Sequence, residues 1–196
     1  MTKESTEIRQ EQIKKAVLEI IADEGLHNLS TRNLAKRIGF TEGAIFRHFP
    51  TKRDIIKGIM DDVARDLVGS LRSITLSPIK ADEKLFSFLC RHVTYLKENR
   101  GITILLFSEA AHLGDNELKE KLNQILFEQK QFVIKIVKEG IAEGIWDKNI
   151  NAEDLAVIYM GIPITFNIEL VLNKSGLNVN NFCKRMYSLI LKVLKV

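Results

Sequence analysis

At 196 residues the chain is too short for two ordinary domains and long for one, which leaves a small module joined to a larger body with a core of its own. Three prolines and eleven glycines, with Leu, Ile, Lys and Glu abundant, favour an all-α protein. The net charge of +4 is unevenly spread: between 28 and 58, seven cations stand against two carboxylates, leaving about +5, roughly the whole excess. A solvated basic face would account for that window alone; beside a tight helix–turn–helix pattern it points to nucleic acid.

Other composition signals exclude membranes and disulfides. MTKESTEIRQEQ at the N-terminus has no apolar signal region. The most apolar run, LAVIYMGIPITF at 155–166, is too short to span a bilayer and contains Pro163, so a soluble, cytoplasmic protein with no membrane partner is expected. Cys90 and Cys183 fall in apolar helical patterns and read as buried free thiols rather than a disulfide.

In chain order, the first predicted helix runs from Glu7 to Glu24, with Ile13, Ala16, Val17, Ile20 and Ile21 on one stripe and Gly25 ending it in a left-handed conformation. Ser30 or Thr31 caps a second helix that buries Leu34, Ala35 and Ile38 and stops at Gly39. Thr41 caps a short third helix anchored by Ile45 and Phe49. Thr51-Lys52-Arg53-Asp54 is a capping-box-like start for a fourth, running to about Arg72. The segment 73–82, with Pro78, interrupts the pattern. Five more helices follow at about 82–98, 100–112, 115–143, 152–173 and 178–195, with Asp115 and Asn151 as N-caps, for about nine in all. The last two carry more apolar faces than a surface helix needs, which means either central core helices of a monomer or a homodimer through a four-helix contact; the dimer is the expectation.

The stretch 30–52, STRNLAKRIGFTEGAIFRHFPTK, is two short helices joined by a Gly-containing turn, the helix–turn–helix arrangement whose second helix enters the major groove. It resembles the N-terminal DNA-binding domain of TetR/AcrR-family transcriptional regulators at Thr31, Leu34, Ala35, Gly39, Gly43, Ile45, Phe46, His48, Phe49 and Lys52, in the family's order and spacing. The resemblance covers roughly 45 residues; beyond them the likeness is in helix count alone. Phe46 stands where the family often has tyrosine, and Pro50 where lysine is commoner.

The resemblance implies roles. Thr41, Arg47, His48 and Lys52 occupy positions that touch phosphates or base edges, Thr51 and Lys52 open the fourth helix where phosphate is favoured, and Thr31 and Arg32 open the second. Glu42, Gly43, Ala44 and Arg47 are the candidates for reading bases. Glu42 either accepts from a cytosine or simply opposes the helix dipole; Arg47 meets either guanine or phosphate; Gly43 serves either close approach to DNA or packing. His48 is expected to project with Arg47 away from the apolar anchors.

No nucleophile motif, phosphate loop or metal-ligand spacing is present, so no catalysis and no cofactor are expected. Glu109 and His112 share a helical face but are too few for a metal site. The resemblance implies an effector pocket in the body, and Phe88, His92, Tyr95, Phe107, His112, Phe127, Tyr159, Phe166 and Asn167 are the candidate lining, suited to a small hydrophobic or amphipathic ligand. The expectation is therefore a DNA-binding domain at 1–52, continuing into a linking helix at 51–73, and an effector-binding and dimerisation domain at 74–196. Together they would form a homodimeric repressor that binds a palindromic operator in double-stranded DNA and is released by the effector. The alternative is a helical dimeric interaction module with a degenerate helix–turn–helix and no effector.

Overall fold

The computed structural model describes residues 5–112, 115–173 and 178–194, with the side chains of 110–112 outside that description. Among the described residues the architecture is all-α. Helix α1 (Thr6–Glu24) is capped by the Ser5 hydroxyl and ends at Gly25 with φ 90 and ψ 160, a positive-φ geometry other than the expected left-handed helical one. Ser30, rather than Thr31, caps α2 (Thr31–Ile38), which ends in left-handed Gly39. Thr41 caps α3 (Glu42–His48), and Thr51 with Asp54 forms a complete capping box for α4.

Helix α4 is continuous but not uniform. It runs α-helical over Lys52–Asp62, π-helical over Val63–Val68 and α-helical again over Gly69–Leu76. It therefore outlasts its expected end at Arg72. Leu71 and Thr75 are fully buried, and the Thr75 hydroxyl donates to the Leu71 carbonyl at 2.8 Å, so packing carries the helix on. It stops where Pro78 forces Ser77 into an extended conformation.

The body comprises α5 (Ala81–Glu98), α6 (Ile102–His112), α7 (Asn116–Ala142), α8 (Ala152–Asn173) and α9 (Val179–Leu194). Asp115 caps α7 and Asn151 accepts from the Asp154 amide, as their positions predict. The expected end of the last helix at 195 lies outside the described residues. Phe88 meets Tyr159 edge-on at 5.9 Å between centroids, and the Tyr159 hydroxyl donates to the Leu85 carbonyl at 2.7 Å, tying α8 to α5. Asn167 is fully buried; its amide donates to the Leu96 carbonyl and its oxygen accepts from the Thr103 amide, joining α5, α6 and α8.

As a helix, α8 extends the apolar run to 22 residues, long and apolar enough by composition to cross a bilayer. Its inner face, with Leu155, Ala156, Tyr159, Phe166 and Asn167, is packed inside the bundle, which is how a core helix uses such a sequence. Cys90 is half-buried and Cys183 buried; both are free thiols, neighbours where α5 packs on α9, and burial raises both pKa values, Cys183 to about 12.

Candidate nucleic-acid interface

Helix α3 has only seven residues and cannot persist alone. Ile45, 1% exposed, and Phe49 seat it against α1, α2 and α4, the expected anchoring. Thr41, Glu42, Gly43, Phe46 and Arg47 are then exposed on the outward side. A Cβ at Gly43 would meet no atom within 4 Å, so packing does not require glycine there. That removes one of the two explanations, packing. His48 departs from expectation: it is half-buried, its carbonyl accepts from the Gln10 side chain at 3.0 Å, and its Nδ1 is buried with no protein partner. The reason is register, since His48 lies three residues beyond Ile45 and turns back toward α1.

The capping residues are partly committed. The Thr41 hydroxyl accepts from the Ala44 amide at 3.1 Å and keeps its own proton for an outside acceptor. The Thr51 hydroxyl accepts from the Asp54 amide and donates to its carboxylate at 2.7 Å, while the Thr51 amide also donates to Asp54. The expected Thr51 contribution to phosphate therefore has no free donor in this arrangement.

Charge is redistributed most of all. Arg37 pairs with Asp23 and Glu24 of α1. Lys52 Nζ lies 2.9 Å from Glu109 Oε1 on α6; Glu109 is buried, and its Oε2 has no partner. Arg53 engages Asp115 and Glu117, and Lys57 engages Glu117. Lys57 and then Arg53 hold the Glu117 carboxyl down to about 2, and Arg53 lowers Asp115. Further along, Asp61 pairs with Lys121 and Arg72 with Glu128. These exposed pairs are individually weak, but they form one ladder fastening α4 to α6 and α7. Among the described residues, Arg32, Lys36 and Arg47 are the cations of the basic window that no carboxylate engages. Lys36 was not among the expected contacts. Its signal was its spacing, four residues after Arg32 on the same exposed face of α2.

In the body, a cavity of about 40 Å³ lies between α4, α5, α6 and α7, and closes against Met160 and Ile164 of α8. Of the expected lining, His92, Tyr95 and Phe107 reach it. Phe88, Tyr159, Phe166 and Asn167 do not; they are close-packed at 0 to 1% exposure. Phe127 is 58% exposed on the surface, and the side chain of His112 lies outside the described residues. Helical periodicity marks a buried face without saying which buried face borders a void. Val63 and Leu67, from the π-helical part of α4, and Gln129 are among the lining residues that the sequence did not single out.

His92 is fully enclosed, and burial pushes its pKa down to about 3, so it is neutral. The unfolded chain takes up a proton first, because its histidine titrates near 6.5. Stability is thus undiminished above about pH 6.5 and falls as pH drops toward 3, by up to about 1.4 kcal/mol per pH unit. Urea melts at pH 7, 6, 5 and 4 are expected to show that slope, and His92→Phe to flatten it.

Residues 13–59 match the model of bacterial regulatory proteins of the tetR family, and residues 65–193 that of the YsiA-like protein C-terminal region. The chain belongs to the TetR family. The family is one of bacterial regulatory proteins, the chain carries its helix–turn–helix, and the structural neighbours are transcriptional regulators. Nucleoid occlusion factor SlmA of Actinobacillus pleuropneumoniae is 24% identical over 62% of this chain; the match spans 61% of that relative's length. The ketosteroid transcriptional regulator KstR2 of Mycobacterium tuberculosis has the same fold, with a TM-score of 0.81 at 15% identity, covering 96% of this chain and 95% of that one. FadR of Bacillus subtilis, solved with stearoyl-CoA, superposes with a TM-score of 0.68 at 22% identity, covering 92% and 97%.

Proposed function

We propose that this TetR-family regulator is a homodimeric repressor that binds a palindromic operator through α2 and α3 and lets go when a small hydrophobic effector enters the body. The observation that carries the reading is the ion-pair ladder from Lys52 to Arg72, because it joins the start of α4, beside the DNA-facing helix, to the walls of the body cavity. Residues 1–52 serve DNA, α4 is the lever, and 74–196 serve effector and dimer, all in the cytoplasm. Arg32, Lys36 and Arg47, with Thr31 and Thr41, are the contacts to phosphate, and Glu42, Gly43, Ala44 and Arg47 face the base edges. An effector can shift the equilibrium only by its differential affinity for the two arrangements of α4. An apolar cavity suits an apolar effector, and the stearoyl-CoA bound by FadR is in keeping with that.

Selection of bound duplexes from a random pool is the test, with binding expected to weaken steeply as salt rises. Arg47→Ala on the selected site is expected to lower affinity by about 1–3 kcal/mol at one base position if Arg47 reads guanine. If it touches only phosphate, the loss is uniform across sequences and the salt slope drops by about 0.9. Failure to enrich any duplex would sink the DNA reading.

The dimer is assigned to α8 and α9, where Val157, Ile158, Leu172, Leu189 and Val193 are more than half exposed. Sedimentation equilibrium at micromolar concentration is expected to give a dimer, and Ile158→Asp with Leu172→Asp a monomer. A native monomer would refute the assignment.

A further inference from the structure

The body cavity makes a chemical demand that its apolar lining does not foretell. Two residues that line it, His92 and Gln129, each carry a buried polar atom, Nδ1 and Oε1, with no protein partner. Both residues are themselves buried, at 4% and 3% exposure. Among the described residues, no Asp, Glu, Lys or Arg lines the cavity. A charged group entering it would lose its hydration with no counter-ion in return, which is strongly unfavourable. His92 cannot supply the missing cation, because its enclosed ring stays neutral. The part of any ligand that enters is therefore uncharged.

The two orphaned atoms narrow the chemistry further. Gln129 Oε1 only accepts, so its partner must carry an O–H or N–H. His92 Nδ1 donates in one neutral tautomer, so its partner can be an acceptor. A hydroxyl is both at once. We infer that the effector is an uncharged apolar molecule carrying a hydroxyl, which donates to Gln129 and accepts from His92. An ester or thioester carbonyl would satisfy His92 and leave Gln129 orphaned; a carboxylate would add an unpaired charge. Leaving a buried acceptor unpaired is the kind of mismatch that separates ligands by large factors. With about 40 Å³ available, the hydroxyl end fits and the apolar remainder must displace the rim, where Phe107 is 41% exposed. Val63 and Leu67 of the π-helical segment line the same space, so displacement bears directly on the lever.

This inference rests on the effector reading of the same cavity. The test uses 1-decanol, methyl decanoate and decanoate as matched probes. Titration calorimetry on the full chain gives affinity, and release of the selected duplex gives function. Decanol is expected to bind at least tenfold tighter than either of the others and to release DNA. Gln129→Met and, separately, His92→Phe are expected to cut decanol affinity about tenfold; ester affinity is expected to fall only in His92→Phe, because the ester carbonyl accepts from His92 and makes no bond to Gln129. Thermal melts confirm that each variant folds, and the probe ranking on the native chain stands independently of them. Ester or acid binding as tightly as decanol, with DNA released, would overturn the hydroxyl inference and keep the effector reading. Decanol binding that neither variant alters would also overturn it. No binding by any probe, with the DNA complex intact, would overturn both.

Discussion

Glu109→Gln is expected to tighten DNA binding about tenfold, close to 1.4 kcal/mol, and to steepen the salt dependence by about 0.9 in slope. In the structure Glu109 holds Lys52, the residue at the start of α4 that the sequence marks for phosphate. The carboxylate is buried, and its second oxygen has no partner, so it gains little other than Lys52 from being charged. Glutamine keeps the size, removes the charge and returns the Lys52 ammonium, half-exposed, to the DNA side. The measurement is equilibrium binding to a selected duplex between about 50 and 200 mM salt. A fall in affinity with the slope unchanged would mean that the pair holds α4 in its binding pose rather than competing with DNA. Lys52→Ala is the poorer test. It strands the buried carboxylate and so mixes instability with a lost contact.

Gly140→Ala is expected to destabilise the fold by about 3 kcal/mol or more. Gly140 lies near the end of α7, and the Trp146 ring from the following loop lies flat against it. A Cβ there would overlap Cε3 and Cζ3 of the ring and come within 2.7 Å of Cδ2. Trp146 is 5% exposed and has nowhere to move without opening the core. In a solvated helix the same change would stabilise by about 1 kcal/mol, so the sign of the effect is diagnostic. Denaturant melts are the check, and a rise in midpoint would show that the ring does not rest on the helix. Nothing in the residue order draws attention to this glycine, because its partner is six positions away in a loop.

Elements whose cause is local were legible. Thr41, Thr51, Asp115 and Asn151 cap helices through bonds to amides three residues on, and such chemistry depends only on near neighbours. The apolar stripes placed Ile45 and Phe49 beneath α3 for the same reason. Where packing extended or bent an element, the reading fell short: α4 runs to Leu76 because Leu71 and Thr75 are buried, and its π-helical stretch has no sequence signature. The candidate site was half legible. Arg32, Glu42, Gly43 and Arg47 are exposed, as a surface contact requires, whereas His48 is half-buried and turned inward.

The sequence by itself determined that this is an all-α chain with a helix–turn–helix at its start, because helix periods, caps and turn glycines act over a few residues. Only the tertiary structure decided which charges are available and which buried face encloses a void. Lys52 meets Glu109 across 57 positions, and Arg53 meets Asp115 across 62. Gln129 and His92 come to one cavity from separate helices. Such meetings depend on how helices pack, and helical periodicity gives the direction of a side chain on its own helix but not what it faces.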